Sequence, residues 1–283
     1  MRHFASECGR AGPWRGGRLL AAATAFAVAS ITTVPDAADA RGLKRLKAPF
    51  RLLQFTGAPM KWGGAQLGRS ASVTWRLAAE AERFTGARNC RAVTPIENAL
   101  APSAIDRATF YRELLAAMDM WQRVAGITFR RAENGERADL VIGAQARPRG
   151  RAYTNVSAHR MLPVSAPNKA VAKRVDRLQE AVICLNPRQP WKVGFDGDLE
   201  VYDLRHTLAH ELGHVIGLDH SGPRGAVMAF RYDEKHRELS PGDVAGAQRL
   251  YGLPRTLVAG GAGEPKSLTL PAGIVRTGRA LKP

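Results

Sequence analysis

Alternation of apolar and polar positions predicts several short strands along the chain. Residues 72–77 alternate and are rich in strand-forming residues, as expected of a half-buried strand. Three short apolar runs predict further strands at 127–129, 138–142 and 181–185. The segments between these runs that are rich in Pro, Gly or charged residues are expected to be surface loops, at 84–102, 144–178 and 191–202.

Apolar residues spaced three and four apart predict helices in the same chain. The clearest helix covers residues 104–125, with Ser103 and Asp106 in a capping pattern at its start. Asp203 is expected to cap a second helix, and Ser240, which a proline follows, is expected to begin another. Strands and helices together indicate one α/β or α+β domain of about 200 residues.

The composition at the two ends sets the expected domain boundaries. We place the folded domain at residues 61–253. Residues 41–60 are basic and contain glycine, which favours a linker or a short pro-like segment. Residues 254–283 are rich in Gly, Pro and basic residues, so we expect a flexible C-terminal tail there.

The first forty residues have the composition of a secretory signal. Several arginines precede a mostly apolar run at residues 19–34, and small residues follow before Arg41. The run is shorter than the about 20 residues that a membrane-spanning helix needs. We therefore expect residues 1–40 to be a cleaved signal peptide rather than a membrane anchor, and the mature protein to be secreted, in the periplasm or outside the cell.

The net charge of the chain helps to choose between the classes of partner that it could bind. The chain has 42 Lys and Arg against 25 Asp and Glu, a formal net charge of +17. Such a balance is often found in nucleic-acid-binding proteins, but the arginines are spread along the chain without an aromatic-interleaved motif. Export also argues against nucleic acid, and we expect none. Acidic envelope or surface polymers are the expected alternative partners.

Two cysteines, Cys90 and Cys184, follow the expected cleavage point. Export permits a disulfide between them. Such a bond would close a loop of about 95 residues and stabilise the fold by about 4 kcal/mol in the chain-entropy model. Two buried or free thiols are the alternative, because the sequence does not fix the distance between the two Cα atoms.

The sequence HELGHVIGLDH, which begins at His210, carries the candidate chemistry. On a helix, His210 and His214 lie on one face and direct two imidazoles at one ion. Glu211 lies one step around the helix and reaches a water on that ion. Gly217 lets the helix end and the chain bend, so we expect His220 to return as the third ligand.

Three neutral imidazoles leave the fourth position of a zinc ion open for water, which is typical of a catalytic site. We therefore expect one catalytic zinc ion, with Glu211 as the general base in the hydrolysis of protein or peptide substrates. A zinc-binding module without catalysis is the alternative. The intact Glu211 argues against it, because such a module has no use for a carboxylate beside an open site.

The same motif resembles the zinc-binding motif of the metzincins. Its Asp219-His220-Ser221 ending is similar to that of the matrixin branch, which is peptidase M10. Met228 lies eight residues after His220, at the distance of the methionine turn that matrixins place beneath the zinc. Further segments are similar to the family's domain entry, first helix and final helix, at 61–77, 110–130 and 239–252.

This resemblance implies an α+β fold of the metzincin type. It consists of one domain, with a twisted mixed sheet packed on long helices that include an active-site helix and a C-terminal helix. Met228 is then a supporting residue beneath the metal. Asp219 either accepts a bond from a ligand or the final helix, or is a simple turn acid. The chain departs from the family's Met-Tyr-Pro turn at Ala229 and Phe230, which changes the wall of the primary specificity pocket.

Other metal sites are less well defined. Calcium is a candidate without an assigned site, since Asp196, Asp198 and Glu200 form the only local acid cluster and a solvated loop is the alternative. The family's structural zinc site is expected to be missing, because the segment between the strands has one histidine, His159. His206 is expected to be a hydrogen-bonded packing residue.

Taken together, these observations predict a secreted, monomeric, zinc-dependent endopeptidase. A catalytically restricted zinc-binding protein associated with the cell envelope is the alternative function.

Overall fold

The computed structural model describes five parts of the chain, residues 2–7, 50–55, 57–159, 175–221 and 225–254. Most of the expected signal peptide lies outside the described residues. So do residues 160–174 of the expected loop and the expected tail from residue 255 onward.

Within these ranges the chain forms helices and many short strands. The strands are β1 (Arg2–Glu7), β2 (Arg51–Leu52), β3 (Gln54–Phe55), β4 (Ala58–Lys61), β5 (Ala71–Leu77), β6 (Glu82–Arg83), β7 (Ala92–Thr94), β8 (Ile127–Arg131), β9 (Leu140–Gln145), β10 (Ala152–His159), β11 (Asp176–Leu185), β12 (Trp191–Lys192), β13 (Tyr202–Asp203) and β14 (Leu218–Asp219). The helices are α1 (Glu97–Leu100), α2 (Arg107–Gln122), α3 (Leu204–Val215) and α4 (Pro241–Tyr251).

A single large sheet has the strand order β1-β10-β11-β9-β5-β8. Strands β11, β9, β5 and β8 run parallel to one another, whereas β10 is antiparallel to β11. Two short strands pair with the ends of inner strands, since β4 pairs with the start of β11 and β7 pairs with the end of β9. The expected α+β architecture, a twisted mixed sheet packed on long helices, is confirmed.

Helices α2 and α3 pack on each other, and α3 also lies against β10. Helix α2 buries an apolar face that includes Phe110, Leu114 and Trp121, all fully enclosed. The indole Nε1 of Trp121 donates a hydrogen bond to the carbonyl of Ala209 on α3 at 2.9 Å. Helix α3 is therefore held between α2 and the antiparallel strand of the sheet, and nearly all of its residues are buried.

The start of α2 differs from the expectation. The helix begins at Arg107, and the Asp106 side chain caps it by accepting the backbone N–H of Thr109 at 2.6 Å. The Ser103 hydroxyl instead accepts the backbone N–H of Trp191 at 2.7 Å. Ser103 therefore binds the first residue of β12 rather than capping the helix.

The expected surface loop at 144–178 was wrong for much of its length. Strand β9 continues to Gln145, β10 covers Ala152–His159, and β11 begins at Asp176. Strand β10 is buried at every position except His159. A strand covered on both faces shows no alternation of apolar and polar residues, so its sequence gave no period-2 signal.

Shorter elements also lie in segments expected to be irregular. Part of the expected linker, residues 50–55 and 57–60, belongs to the fold, where it forms β2, β3 and most of β4. Leu53 and Met60 in this part are buried in the core. The expected loops at 84–102 and 191–202 contain β7, α1 and β12. Two- to four-residue elements are too short for hydrophobic periodicity to reveal them.

Strand β1 lies in the segment expected to be a signal peptide. It pairs antiparallel with β10 from Arg2 opposite Ala158 to Glu7 opposite Tyr153. Among the described residues, no helix has the length and apolar character needed to cross a bilayer. Cleavage after residue 40 stays a prediction.

Cys90 and Cys184 form a disulfide, with their Cα atoms 5.7 Å apart. The bond links Cys90, in the loop that precedes β7, with Cys184 on β11, across a sequence separation of 94 residues. We expect replacement of both cysteines by serine to lower the free energy of unfolding by about 4 kcal/mol, because the open chain gains loop entropy when unfolded. Denaturant unfolding of the oxidised wild type and of the double variant measures this difference. Equal stability of the two proteins would contradict it.

Candidate metal centre

Helix α3 presents two histidines and a glutamate into the protein interior. Its start is capped as predicted, because the Asp203 carboxylate accepts the backbone N–H of His206 at 2.7 Å. His210, Glu211 and His214 are all essentially enclosed, with at most 2% of their surface exposed. Polar side chains at such depth need specific partners, and the surrounding chain supplies them.

The chain bends sharply after α3. Gly217 has φ +99°, in the left-handed region that favours glycine. Its N–H donates to the carbonyl of His214 at 3.0 Å, which closes the last turn. Strand β14 then follows and pairs antiparallel with β2, with Leu218 opposite Leu52. This bend returns His220 to the face of α3 that carries the other two histidines.

Three contacts satisfy the carbonyl groups at the end of α3. The indole of Trp62 donates to Val215 at 2.8 Å, and the Tyr251 hydroxyl donates to Ile216 at 2.8 Å. The backbone N–H of Leu53 donates to the carbonyl of Gly217 at 2.8 Å. Both ends of the described domain therefore fix the bend, because Leu53 and Trp62 come before β5 in the chain and Tyr251 lies on α4.

The three imidazoles converge on one point. The Nε2 atom of His210 lies 3.2 Å from that of His220 and 3.1 Å from that of His214. The opposite ring atoms are bound to backbone: His210 Nδ1 pairs with the carbonyl of Val227 at 2.6 Å, and His214 Nδ1 pairs with that of Leu218 at 2.8 Å. A carbonyl partner fixes the proton on Nδ1, which leaves the Nε2 lone pair for a metal.

These residues fit a zinc ion by both spacing and charge. Imidazole nitrogens about 2.0–2.1 Å from a tetrahedral zinc lie about 3.3 Å from one another. Burial lowers the pKa of His210 to about 3 and also lowers the pKa values of His214 and His220. The rings are therefore neutral, which is the form that binds metal. Within the described residues this triad is the one cluster of metal-binding side chains found.

Glu211 lies beside the triad with its two carboxylate oxygens in different surroundings. Oε2 accepts a hydrogen bond from the Thr154 hydroxyl on β10 at 2.6 Å. Oε1 is buried and has no hydrogen-bond partner among the described residues. Burial raises the pKa of Glu211 to about 8, and the bond from Thr154 acts in the opposite direction. A buried acceptor without a protein partner is suited to bind a water.

Met228 lies in a turn packed under α3. A Cβ added to Gly213 would overlap the Met228 sulfur, so the thioether fills the space that this glycine leaves. Asp243 on α4 holds the turn by accepting the backbone N–H of Val227 at 2.9 Å and that of Met228 at 3.3 Å. The carbonyl of Met228 in turn accepts the N–H of Ser221 at 2.8 Å.

Phe230 and Asp219 both lie near the third histidine, and their surroundings differ. Phe230 is half exposed and its ring meets the His220 ring edge-on at 5.1 Å. Asp219 accepts the backbone N–H of His220 at 2.8 Å and pairs with Arg51 at 3.3 Å. Asp219 therefore contacts the backbone of the third histidine, a contact that fits the turn-acid alternative.

The remaining sequence-predicted residues lie outside the triad. His206 is buried, and its ring packs edge-on against Tyr232 at 5.0 Å. Burial lowers the pKa of His206 to about 4, so this ring is neutral. Asp196 pairs with Lys192 and accepts the backbone N–H of Asp198, which gives this acid protein partners. Calcium stays a candidate ion without an assigned site.

Sequence reasoning did not find three groups that hold the site: Thr154, the carbonyl of Val227, and the Asp243 contact with the turn. Thr154 lay in the segment expected to be a loop. Ser240 begins α4 as predicted, and the Asp243 side chain completes a capping box with it. Its second role depends on a contact with residues 15 and 16 positions earlier, for which the sequence carries no local signal.

Comparison with known proteins extends the resemblance. A model of the matrixin family matches residues 95–252. Stromelysin-3 of Rattus norvegicus is 29% identical over 157 residues, which cover 54% of this chain and 29% of that protein. Matrix metalloproteinase-19 of Homo sapiens is 30% identical over 153 residues, covering 53% of this chain and 28% of that protein. Metalloendoproteinase 1-MMP of Arabidopsis thaliana is 33% identical over 141 residues, which cover 48% of this chain and 36% of that protein.

The chain thus spans about a third of the length of these relatives. The match to the family model contains α2, α3, the bend and α4, and it extends over more than half of the chain. The chain belongs to the matrixin family.

Proposed function

We propose that this protein is a secreted zinc-dependent endopeptidase, with His210, His214 and His220 as zinc ligands and Glu211 as general base. One observation carries the proposal: the Nε2 atoms of His214 and His220 each lie within 3.2 Å of that of His210, beside a buried carboxylate with one oxygen that has no partner among the described residues. A site that only stored metal would have no use for a carboxylate left open in this way. The family and its metalloproteinase relatives support the same activity.

The residues of the chain divide the chemistry between them. A zinc ion bound by the triad would acidify a water and polarise the scissile carbonyl. Glu211 accepts the proton of the attacking water at Oε1 and later delivers it to the leaving amine. The carbonyl groups of Val227 and Leu218 keep the imidazoles of His210 and His214 oriented. The buried setting excludes bulk water from Glu211, which strengthens its interactions with charge.

The outer edge of β10 suits an extended peptide substrate. Here β1 pairs antiparallel along β10, from Tyr153 to Ala158, next to the strand position whose hydroxyl binds Glu211. Backbone pairing of this kind recognises any extended chain, largely regardless of its side chains. If residues 1–40 are removed on export, the same edge becomes available to a substrate.

Acidic partners are favoured by the loops beside the start of β10. The carbonyl of Arg151, just before β10, accepts the N–H of Asn186, and the carbonyl of Ala92 accepts the N–H of Ala146. These bonds bring together three segments, residues 86–93, 146–151 and 186–190, which contain no acidic residue. Their arginines are Arg88, Arg91, Arg147, Arg149, Arg151 and Arg188. We infer that this cluster attracts acidic segments of substrates or acidic envelope polymers.

A digest of casein by the purified monomeric protein tests the proposal. Cleavage is expected with zinc present, to be lost with a chelator, and to return when zinc is restored; metal analysis measures the ion in parallel. Zinc binding without cleavage of casein or of a peptide library would favour the restricted envelope-associated alternative. Failure to bind zinc would contradict both functions. Salt-sensitive retention on acidic polymers tests the arginine cluster separately.

A further inference from the structure

Thr154 makes a buried side-chain contact with the proposed general base. Its hydroxyl lies 2.6 Å from Glu211 Oε2, and both residues are at most 2% exposed. The two side chains come from different elements, β10 and α3. Their separation is therefore set by the packing of the helix on the sheet rather than by local chain geometry.

The hydroxyl has one proton to donate. Two acceptors lie within reach, Glu211 Oε2 at 2.6 Å and the Glu211 backbone carbonyl at 3.1 Å. The shorter distance assigns the proton to Oε2. The bond then leaves Oε1 as the oxygen without a protein partner among the described residues.

An untethered carboxylate rotates about its last torsion, because that torsion is broad and roughly two-fold. A single hydrogen bond from a rigid strand restricts this rotation and decides which oxygen faces the water. Thr154 is buried in a strand flanked by β11, and its register partner there is Ile183. The donor is therefore held by the sheet, and it cannot follow the carboxylate if the latter turns.

We propose that Thr154 is a positioning residue that orients Glu211 for proton transfer. The inference rests on the proposed function of Glu211 as general base. Thr154 acts through Glu211 and not on the substrate. Its loss is therefore expected to lower kcat and to leave KM and zinc affinity nearly unchanged, since neither the edge of β10 nor the imidazoles depend on the hydroxyl.

Two substitutions separate the hydroxyl from the shape of the side chain. Thr154→Val keeps the branched shape and removes the donor, and we expect kcat to fall about 10- to 100-fold. Thr154→Ser keeps the donor and removes a methyl group, and we expect it to retain kcat within about threefold of wild type. Steady-state kinetics on one peptide give kcat and KM, and titration with a metal chelator gives zinc affinity.

Thr207 on α3 offers a matched control. It is equally buried, and its hydroxyl donates to the backbone carbonyl of Asp203 at 2.9 Å, away from Glu211. Thr207→Val also removes one buried hydrogen bond and is expected to lower the melting temperature without lowering kcat. A merely structural role for Thr154 predicts that both valine variants lose stability and keep kcat.

Several outcomes would overturn the inference: wild-type kcat in Thr154→Val, an equal loss in Thr154→Ser, or a matching loss of zinc affinity. If Thr154→Val does not fold, Thr154→Ala repeats the same comparison. A crystal structure of metal-free Thr154→Val gives a readout independent of activity. We expect its Glu211 carboxylate to have turned or to be disordered, and an unchanged carboxylate would contradict positioning. This structural test does not depend on catalysis, so it is informative even if the wild type cleaves no substrate. Failure of the proposed function is therefore recognised separately from failure of this inference.

Discussion

Glu211→Gln is expected to lower kcat by about 10³- to 10⁴-fold while zinc stays bound. Glutamine keeps the size of the side chain and its ability to accept a hydrogen bond from Thr154, but its amide does not take a proton from water. The imidazoles keep their carbonyl partners at Val227 and Leu218, so the metal site is intact. Glu211→Ala is expected to lose activity to the same degree, with an added cavity in a fully buried position.

The measurement combines peptide cleavage with metal analysis on the same samples. Glu113→Gln is a suitable control, because Glu113 is a buried glutamate of α2 that pairs with Arg205 at 2.7 Å and does not contact the triad. It is expected to lower stability and to keep zinc binding and kcat. Cleavage by Glu211→Gln at the wild-type rate would show that another group accepts the proton.

Gly217→Ala is expected to raise the zinc dissociation constant about 10- to 100-fold and to lower activity with it. Two effects act together at this position. A φ of +99° costs a non-glycine residue about 1–3 kcal/mol, and a Cβ there would overlap the backbone carbonyl of Met60. A backbone carbonyl in a packed strand has little freedom to move, so the bend itself shifts and takes His220 with it.

Gly194→Ala separates the two effects. Gly194 has φ +94°, but a Cβ at this position meets no atom within 4 Å. The Gly194→Ala variant is therefore expected to lose stability only because of its strained backbone conformation, and to bind zinc as the wild type does. Competition with a fluorescent chelator measures the affinities of both variants. Wild-type zinc affinity in Gly217→Ala would mean that the bend does not position the third ligand.

The sequence was most informative where the structure depends on neighbours along the chain. The spacing of His210 and His214, the glycine that permits the bend, and the capping groups at Asp203 and Ser240 are local features. Each of them has a fixed consequence for one or two turns of helix. The arrangement of the three histidines and the helix starts at both residues could therefore be predicted without knowledge of the tertiary fold.

The features of the fold and of the site that could not be predicted depend on contacts between segments that are distant in the sequence. Strand β10 follows an Arg-, Pro- and Gly-rich stretch and is buried on both faces, which removes the alternation that marks a strand. For this reason neither the strand nor the role of Thr154 was evident. Strand β2 has two residues, too few for any period. Its importance comes from pairing with β14 across more than 160 residues of chain.

Asp243 and Leu53 have a consequence for how the protein acquires its ion. Asp243 on the last helix holds the turn whose Val227 carbonyl orients His210, and Leu53 near the other end of the domain holds the carbonyl of Gly217. The ligand set is thus complete only after both ends of the domain have docked. Metal capture is then coupled to completion of the whole fold. A partly synthesised or partly unfolded chain would therefore bind the ion weakly, and the metal centre would form only in the finished fold.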